Sequence, residues 1–334
     1  KTEEFELGNM LAHDRLGKVT FNLKVEGSHY EKQYPSIVMK GLIASIDYSD
    51  YNYENITLDG EYKQGGFNGK IALDDPNGSI YLNGDVNVAS KVPTFNFLAV
   101  VNKVRPHDLN LTTKYPDAEF SLKLKANFTG GSVDEMIGEI NVDSLEFMSP
   151  EKQYFMNNMN IRASKQNNEN QVRLTAEFLT ASVEGKFQYH TLPASILNIM
   201  RKYVPSLILP PKKPIETHNN FQFDIHIYNT DILSTIFDIP LTVYTHSTLK
   251  GYFNDALQRL RVEGYFPRLQ YKNNFIESGM ILCENPSNHI RARVRLTNLK
   301  KKGAVNLSLD AQAKDDNIST TLNWGNNAAV TYSG

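Results

Sequence analysis

Apolar and polar residues alternate along most of this chain. In "FSLKLKANF" (120–128), Phe120, Leu122, Leu124, Ala126 and Phe128 interleave with Ser121, Lys123, Lys125 and Asn127. Successive side chains of a strand point to opposite faces, so the segment predicts a β-strand with one apolar and one wet side. Leaving the four large apolar side chains and the alanine in water costs on the order of 8 kcal/mol, comparable to the stability of a whole domain. That face therefore needs a cover. The same period of two recurs in "VTFNLKVEG" (19–27), "SIYLNGDVNV" (79–88), "QVRLTAEF" (171–178), "FQFDIHIY" (221–228), "HIRARVRL" (289–296) and "AVNLSLDAQA" (304–313). Turn chemistry separates the runs: "QGGFNG", "DDPNGS", "TGGS", "KQNNENQ", "CENPSN", "KKKG" and "AKDDN". Clean alternation marks antiparallel sheet with one solvated face, so the chain reads as mainly antiparallel β.

Helical periodicity is scarce. In "TLPASILNIMRKYVPSLILPPKKP", Pro193 suits a first helical turn, Ile196, Ile199, Met200 and Tyr203 follow at helical spacing, and Pro205 ends the run. This predicts a helix over 193–204 and an extended connector through "LPPKKP". A two-turn helix is expected from Asp231, with Thr230 as its cap, and a turn within 102–111. The organisation expected is a first β segment over 1–188, a helix and Pro-rich connector over 189–214, and a second β segment over 215–334. An internal repeat supports two related halves. "ITLDGEY" (56–62) resembles "LRVEGYF" (260–266), and each is followed by a strand, an acidic turn with proline, and another alternating strand. Asp74-Asp75-Pro76-Asn77 thereby aligns with Glu284-Asn285-Pro286-Ser287.

Composition narrows the function classes. With 35 Lys+Arg against 37 Asp+Glu, the charge balance speaks against a nucleic-acid protein. Mean hydropathy is −0.41, and no apolar run reaches the roughly 18 residues of a spanning helix. The N-terminus "KTEEFELGNM" has no signal-peptide pattern and reads as an entry into the middle of a longer protein. The lone Cys283 excludes an intrachain disulfide framework and reads as a small apolar strand residue. The eight histidines lack zinc-site spacing, and His226 falls on the polar phase of its strand. No phosphate-binding loop, dinucleotide fingerprint or nucleophile elbow occurs, so no cofactor and no enzymatic activity are expected. Asp74, Asp75 and Glu284 are the acids with a recurring position. Paired carboxylates can serve a hydrolase or calcium, but beside proline in a hairpin they read as turn formers. "LKKKG" (299–303) reads as a solvated turn, with contact to anionic headgroups as the sharper alternative.

Three arrangements would cover the apolar faces: a second sheet, closure into a barrel, or an open trough that meets a greasy ligand. Outer-membrane barrels also alternate, but the irregular spacing and the helix fit that plan poorly. The residues Tyr48, Tyr51 and Tyr53, Ile56 to Gly60, Phe67-x-Gly69, Asp75-Pro76-Asn77, Gly84, Phe95-x-Phe97 and Asp108-Leu109 carry a resemblance. Together with "NNFQFDIHIYNTDILSTIF" and "LKGYFNDALQRLRVEGYF", they make nearly the whole chain similar to the Bacteroidetes branch of the TamB proteins, within the AsmA-like group. The resemblance implies an elongated antiparallel sheet curled into an open groove (a β-taco) with one or two short helices. It further implies a periplasmic location, an inner-membrane anchor helix outside this chain, and a BamA-like barrel partner engaged by parts of the full protein. The work implied is phospholipid transport, assembly of outer-membrane proteins, or both, with phospholipid acyl chains in the groove. On the alternation, the expected lining is Phe21, Leu23, Val25, Ile71, Leu73, Phe120, Leu122, Leu124, Leu174, Phe178, Phe221, Phe223, Ile225 and Val294. Helix 193–204 would cap that trough or bridge two β segments. The competing reading is a β-sandwich binding module for carbohydrate or a protein partner, with Tyr48, Tyr51 and Tyr53 as a sugar-stacking platform.

Overall fold

Two-residue turns set the architecture. Ser49-Asp50, Gln64-Gly65, Asn167-Asn168 and Asp315-Asp316 all have positive φ at both positions, between 50° and 75°. That geometry matches the twist of the strands it joins and makes tight antiparallel hairpins. A computed structural model of the chain describes residues 1–28, 36–213, 215–300, 303–326 and 330–333. Lys301 and Lys302 of the "KKKG" turn, and Pro214 at the end of the connector, lie outside the described residues.

Two compact units divide the chain, Lys1–Ile161 and Arg162–Gly334. In the first, β1 (Thr2–Glu6) and α1 (Leu7–Leu11) lead into the long strands β2 (Leu16–Ser28), β3 (Ser36–Tyr48) and β4 (Tyr51–Lys63). Then come β5 (Gly66–Asp75), β6 (Gly78–Asn87), β7 (Thr94–Val104), β8 (Glu119–Thr129) and β9 (Ile137–Met148). The strand β10 (Gln153–Gln166) carries the chain across the boundary. From β1 to β9 each strand pairs antiparallel with the next.

The second unit holds β11 (Glu169–Thr175), β12 (Leu179–Lys186), α2 (Leu192–Arg201), β13 (Asn220–Ile227) and α3 (Asp231–Ile236). It continues with β14 (Leu241–Val243), β15 (Ser247–Asn254), β16 (Arg259–Tyr271), β17 (Asn274–Glu284) and β18 (Ile290–Lys300). The last strands are β19 (Gly303–Lys314), β20 (Asn317–Asn326) and β21 (Val330–Ser333). Pairing is again antiparallel and sequential, except that β13 pairs with β15 while the short β14 joins the far end of β16. The fold is mainly β: among the described residues 64% are strand and 8% helix, and their antiparallel pairing is not closed. Among the described residues no helix is long and apolar enough to cross a membrane.

Local differences from the sequence reading have physical causes. The helix expected over 193–204 is α-helical to Arg201 and then tightens, with the Tyr203 N–H donating to the Met200 carbonyl at 2.9 Å. The residue before a proline resists helical geometry, so Pro205 ends the helix early. Thr230 does not cap α3. Its hydroxyl oxygen accepts the Val243 N–H at 2.9 Å, while Asn229 Oδ1 takes the Asp231 N–H at 2.8 Å. The strand expected over 171–178 stops at Thr175, and Ala176 and Leu179 bond each other's backbones across the turn.

Candidate functional site

Cross-strand partners share a face, so the pairing register assigns every side chain to one side of its sheet. In the first unit, Phe21, Ile43, Ile56, Leu73, Ile80, Val101, Leu122 and Leu145 are paired one to the next across eight strands. One step along, Leu23, Gly41, Leu58, Ile71, Leu82, Ala99, Leu124 and Val142 form a second unbroken apolar row. A third row places Gly60, Gly69 and Gly84 side by side on β4, β5 and β6. There the backbones crowd: a Cβ on Gly69 (φ 155°) would lie 2.4 Å from the Gly60 Cα, and one on Gly84 (φ 156°) 2.5 Å from the Phe97 Cα. Only glycine tolerates both the dihedral and the approach. The opposite face carries Lys24, Lys40, Asp59, Lys70, Asn83, Leu98 and Lys125 in one row, polar except at Leu98.

The second unit repeats the plan. Leu174, Ala181, Ile225, Leu249, Gly264, Ile281, Val294, Leu309 and Leu322 run across nine strands. Beside them lie Val172, Val183, Phe223, Gly251, Val262, Cys283, Ala292 and Ala311. Burial, and then the nearby Glu284 charge, push the Cys283 thiol above its ordinary value. The polar face holds cross-strand ion pairs: Lys250 with Glu263 at 3.7 Å, Arg293 with Asp310 at 2.7 Å, and Glu284 between Arg261 (2.9 Å) and Arg291. A hollow of about 470 Å³ on that side is lined by Glu184, Asp224, Lys250, Arg261 and Glu263. These charges are matched to each other across strands, and the hollow reads as solvated surface.

Thirteen of the fourteen residues expected to line a groove lie on these apolar faces: Phe21, Leu23, Val25, Ile71, Leu73, Phe120, Leu122 and Leu124 in the first unit, and Leu174, Phe221, Phe223, Ile225 and Val294 in the second. Phe178 does not. It sits buried in the turn between β11 and β12, where its carbonyl accepts the Tyr228 N–H at 2.9 Å. Away from the strand ends the faces stay partly open. Leu73 is buried, most of the lining is half-buried, Val25 is 57% exposed and Ile281 40%.

One end of each face is closed. In the first unit the segment Arg105–Ala118 covers it, with Leu109 fully buried and the Tyr53 hydroxyl donating to the Leu109 carbonyl at 2.8 Å. In the second unit α2 does so. Ile199, Tyr203 and Val204 pack on Phe253, Leu260 and Ala313, with Phe221 and Cys283 beside them. A buried polar cluster fixes α2: Asn219 donates to Thr191 (2.9 Å) and Ser195 (2.8 Å), and Ser195 donates to Asp255 (2.9 Å).

The repeated proline turns anchor both closures. Asp75 is buried and accepts from the Tyr51 hydroxyl (2.6 Å), the Glu54 N–H (3.1 Å) and the Asn77 N–H (2.9 Å). Asn285, its counterpart before Pro286, accepts the Leu260 N–H (2.8 Å) and approaches the Tyr203 hydroxyl (3.1 Å). In each copy, one buried residue ahead of proline holds the start of the preceding strand and a tyrosine. Both Asp75 oxygens are engaged this way, while Asp74 is exposed on the other face, so the two do not form a carboxylate pair. Burial and then the bond to Asp75 push the Tyr51 phenol up to about 12, and burial also raises Tyr53. Tyr51 and Tyr53 meet edge-on at 4.8 Å with their hydroxyls tied inward, and only Tyr48 is exposed. They form no stacking platform. His226 stands on the polar face, its Nδ1 3.1 Å from Nε2 of His246 and its Nε2 3.1 Å from Asp224.

The tyrosines look out of phase in the sequence because of a bulge. On β2, Val19 and Phe21 are consecutive same-face residues, yet their partners on β3 are Ile46 and Ile43, so Ala44 is an extra residue. Opposite it, Asn55 on β4 takes φ 54°. Together they return Tyr51 and Tyr53 to the apolar side. After glycine, Asn is among the residue types most tolerant of that dihedral, and it was the available signal.

No protein-family model, no curated protein and no solved structure matches the chain.

Proposed function

We propose that the chain is part of an envelope scaffold whose apolar sheet faces carry phospholipid acyl chains, with no enzymatic chemistry of its own. The observation that supports this reading best is the pair of unbroken apolar rows, eight strands wide from β2 to β9, most of whose side chains stay only half-buried, with Leu73, Ala99 and Val142 buried. An acyl chain needs no converging polar groups. It needs a continuous apolar strip, and each methylene removed from water contributes about 0.8 kcal/mol. The resemblance to TamB proteins adds the periplasmic setting, the bridging of two membranes, the anchor helix and the BamA-like partner. Phospholipid transport and outer-membrane protein assembly both draw on such a surface.

Lipid extraction and mass spectrometry on protein purified without detergent test it. Stoichiometric phospholipid is expected, and it is lost when Leu122→Asp and Leu124→Asp are combined in a variant whose circular dichroism is unchanged. Lipid-free, monodisperse wild-type protein would overturn the proposal.

A further inference from the structure

The helix α2 is apolar on two sides. Ser195, Ile199 and the following Tyr203 turn to the sheet and are buried. Pro193, Ile196, Leu197 and Met200 share a second stripe at i, i+3, i+4 and i+7, and the first three are exposed. A helix that merely covers a core carries polar residues on its outer side. Beside this stripe the chain folds back, because Arg201 donates to the carbonyls of Ile208 (3.1 Å) and Leu209 (3.3 Å). That presents Leu207 and Leu209 to solvent, Leu209 at 74% exposure.

Charge gives the occupant. From Phe187 to Ile215 the chain has Arg201, Lys202, Lys212 and Lys213 and no Asp or Glu. Of the acids at its borders, Asp316 accepts from Ser206 (2.8 Å) and Asp255 from Ser195 (2.9 Å), while Glu216, the residue after Ile215, lies exposed 3.2 Å from His218. Exposed aliphatic side chains rimmed by lysine and arginine fit the boundary between anionic headgroups and acyl chains. We infer that the outer stripe of α2 and the connector 205–213 dock on an anionic lipid bilayer surface. This stands apart from the groove reading, since the residues involved face away from the sheet.

Vesicle flotation of the full chain tests the inference, using phosphatidylcholine with and without phosphatidylglycerol. The chain floats with the anionic vesicles and stays behind with the neutral ones. Each lysine near an anionic surface contributes roughly five-fold in partitioning, so Lys212→Glu with Lys213→Glu weakens flotation by about 25-fold or more. Leu207→Asp with Leu209→Asp abolishes it. All four side chains are exposed, so the fold is retained. The Leu122→Asp, Leu124→Asp variant floats like wild type, which separates this surface from the groove. Equal binding to neutral vesicles, or flotation untouched by both pairs, overturns the inference. A wild-type dimer that Leu207→Asp with Leu209→Asp dissociates, without flotation, assigns the patch to a second copy instead.

Discussion

Asp75 and Asn285 show how much one side chain ahead of a proline can hold. Replacing Asp75 by alanine strands the Glu54 and Asn77 N–H groups and the Tyr51 hydroxyl. Such a loss costs about 3 kcal/mol, read as a fall in the urea midpoint. Asn285→Ala should cost about 2 kcal/mol, whereas the exposed Asp74→Ala should stay within about 0.5 kcal/mol. Tyr51 supplies a pH test. Its folded value of about 12 lies above the ordinary 10, so the fold favours the neutral phenol. The stability this contributes is complete below pH 10 and is lost as the pH rises from about 10 through 12. Absorbance at 295 nm should show this phenol ionising late, and urea midpoints should fall over the same window. The raised Cys283 thiol should react with a disulfide reagent more slowly than a free thiol and speed up on unfolding.

At the scale of elements, the glycine row and α2 are the parts that substitution would expose. Gly84→Ala meets both a disallowed dihedral and the Phe97 backbone, so it should destabilise by more than about 1 kcal/mol. Ile199→Ala leaves a void under α2 and should cost about 2–5 kcal/mol in chemical denaturation. The strands were legible in the sequence because alternation is a local property: Phe120 to Phe128 lies within β8 as the pattern required. Phe178 falls past the strand end expected for it, for the same reason. The alternation runs on through Ala176 and Glu177, and no Gly or Pro marks the turn that the backbone makes there. Thr230 was read as a cap because sequence shows a hydroxyl before a helix, not the Val243 N–H that competes for it. The cross-strand work of Asp75 was hidden similarly, since its partners lie on β4.

At the scale of the whole molecule, the two units share one plan that the weak repeat between 56–62 and 260–266 announced: apolar rows, a polar reverse face, and a closed end pinned at a proline turn. What the sequence could not show is how far the rows extend, because register is a long-range property. An apolar reporter dye should fluoresce with the native protein, lose that signal in the Leu122→Asp, Leu124→Asp variant, and be displaced by phospholipid. The polar faces predict the opposite sensitivity. Apart from those of the buried Glu284, their ion pairs sit largely in water, so raising the salt concentration should weaken the Lys250–Glu263 and Arg293–Asp310 pairs by less than about 1 kcal/mol.

The bulge at Ala44 and Asn55 can also be read as grammar. A strand is a text with a two-letter frame, and each of these residues is a single extra letter that restores the frame of its own strand. Deleting either alone sets Ser45 or Tyr53 against a partner of the wrong side. Deleting both returns Ile43 to Ile56 and Ile46 to Tyr53 in register. The double deletion should therefore be more stable than either single one, a rescue by second loss that no contact-by-contact sum would suggest.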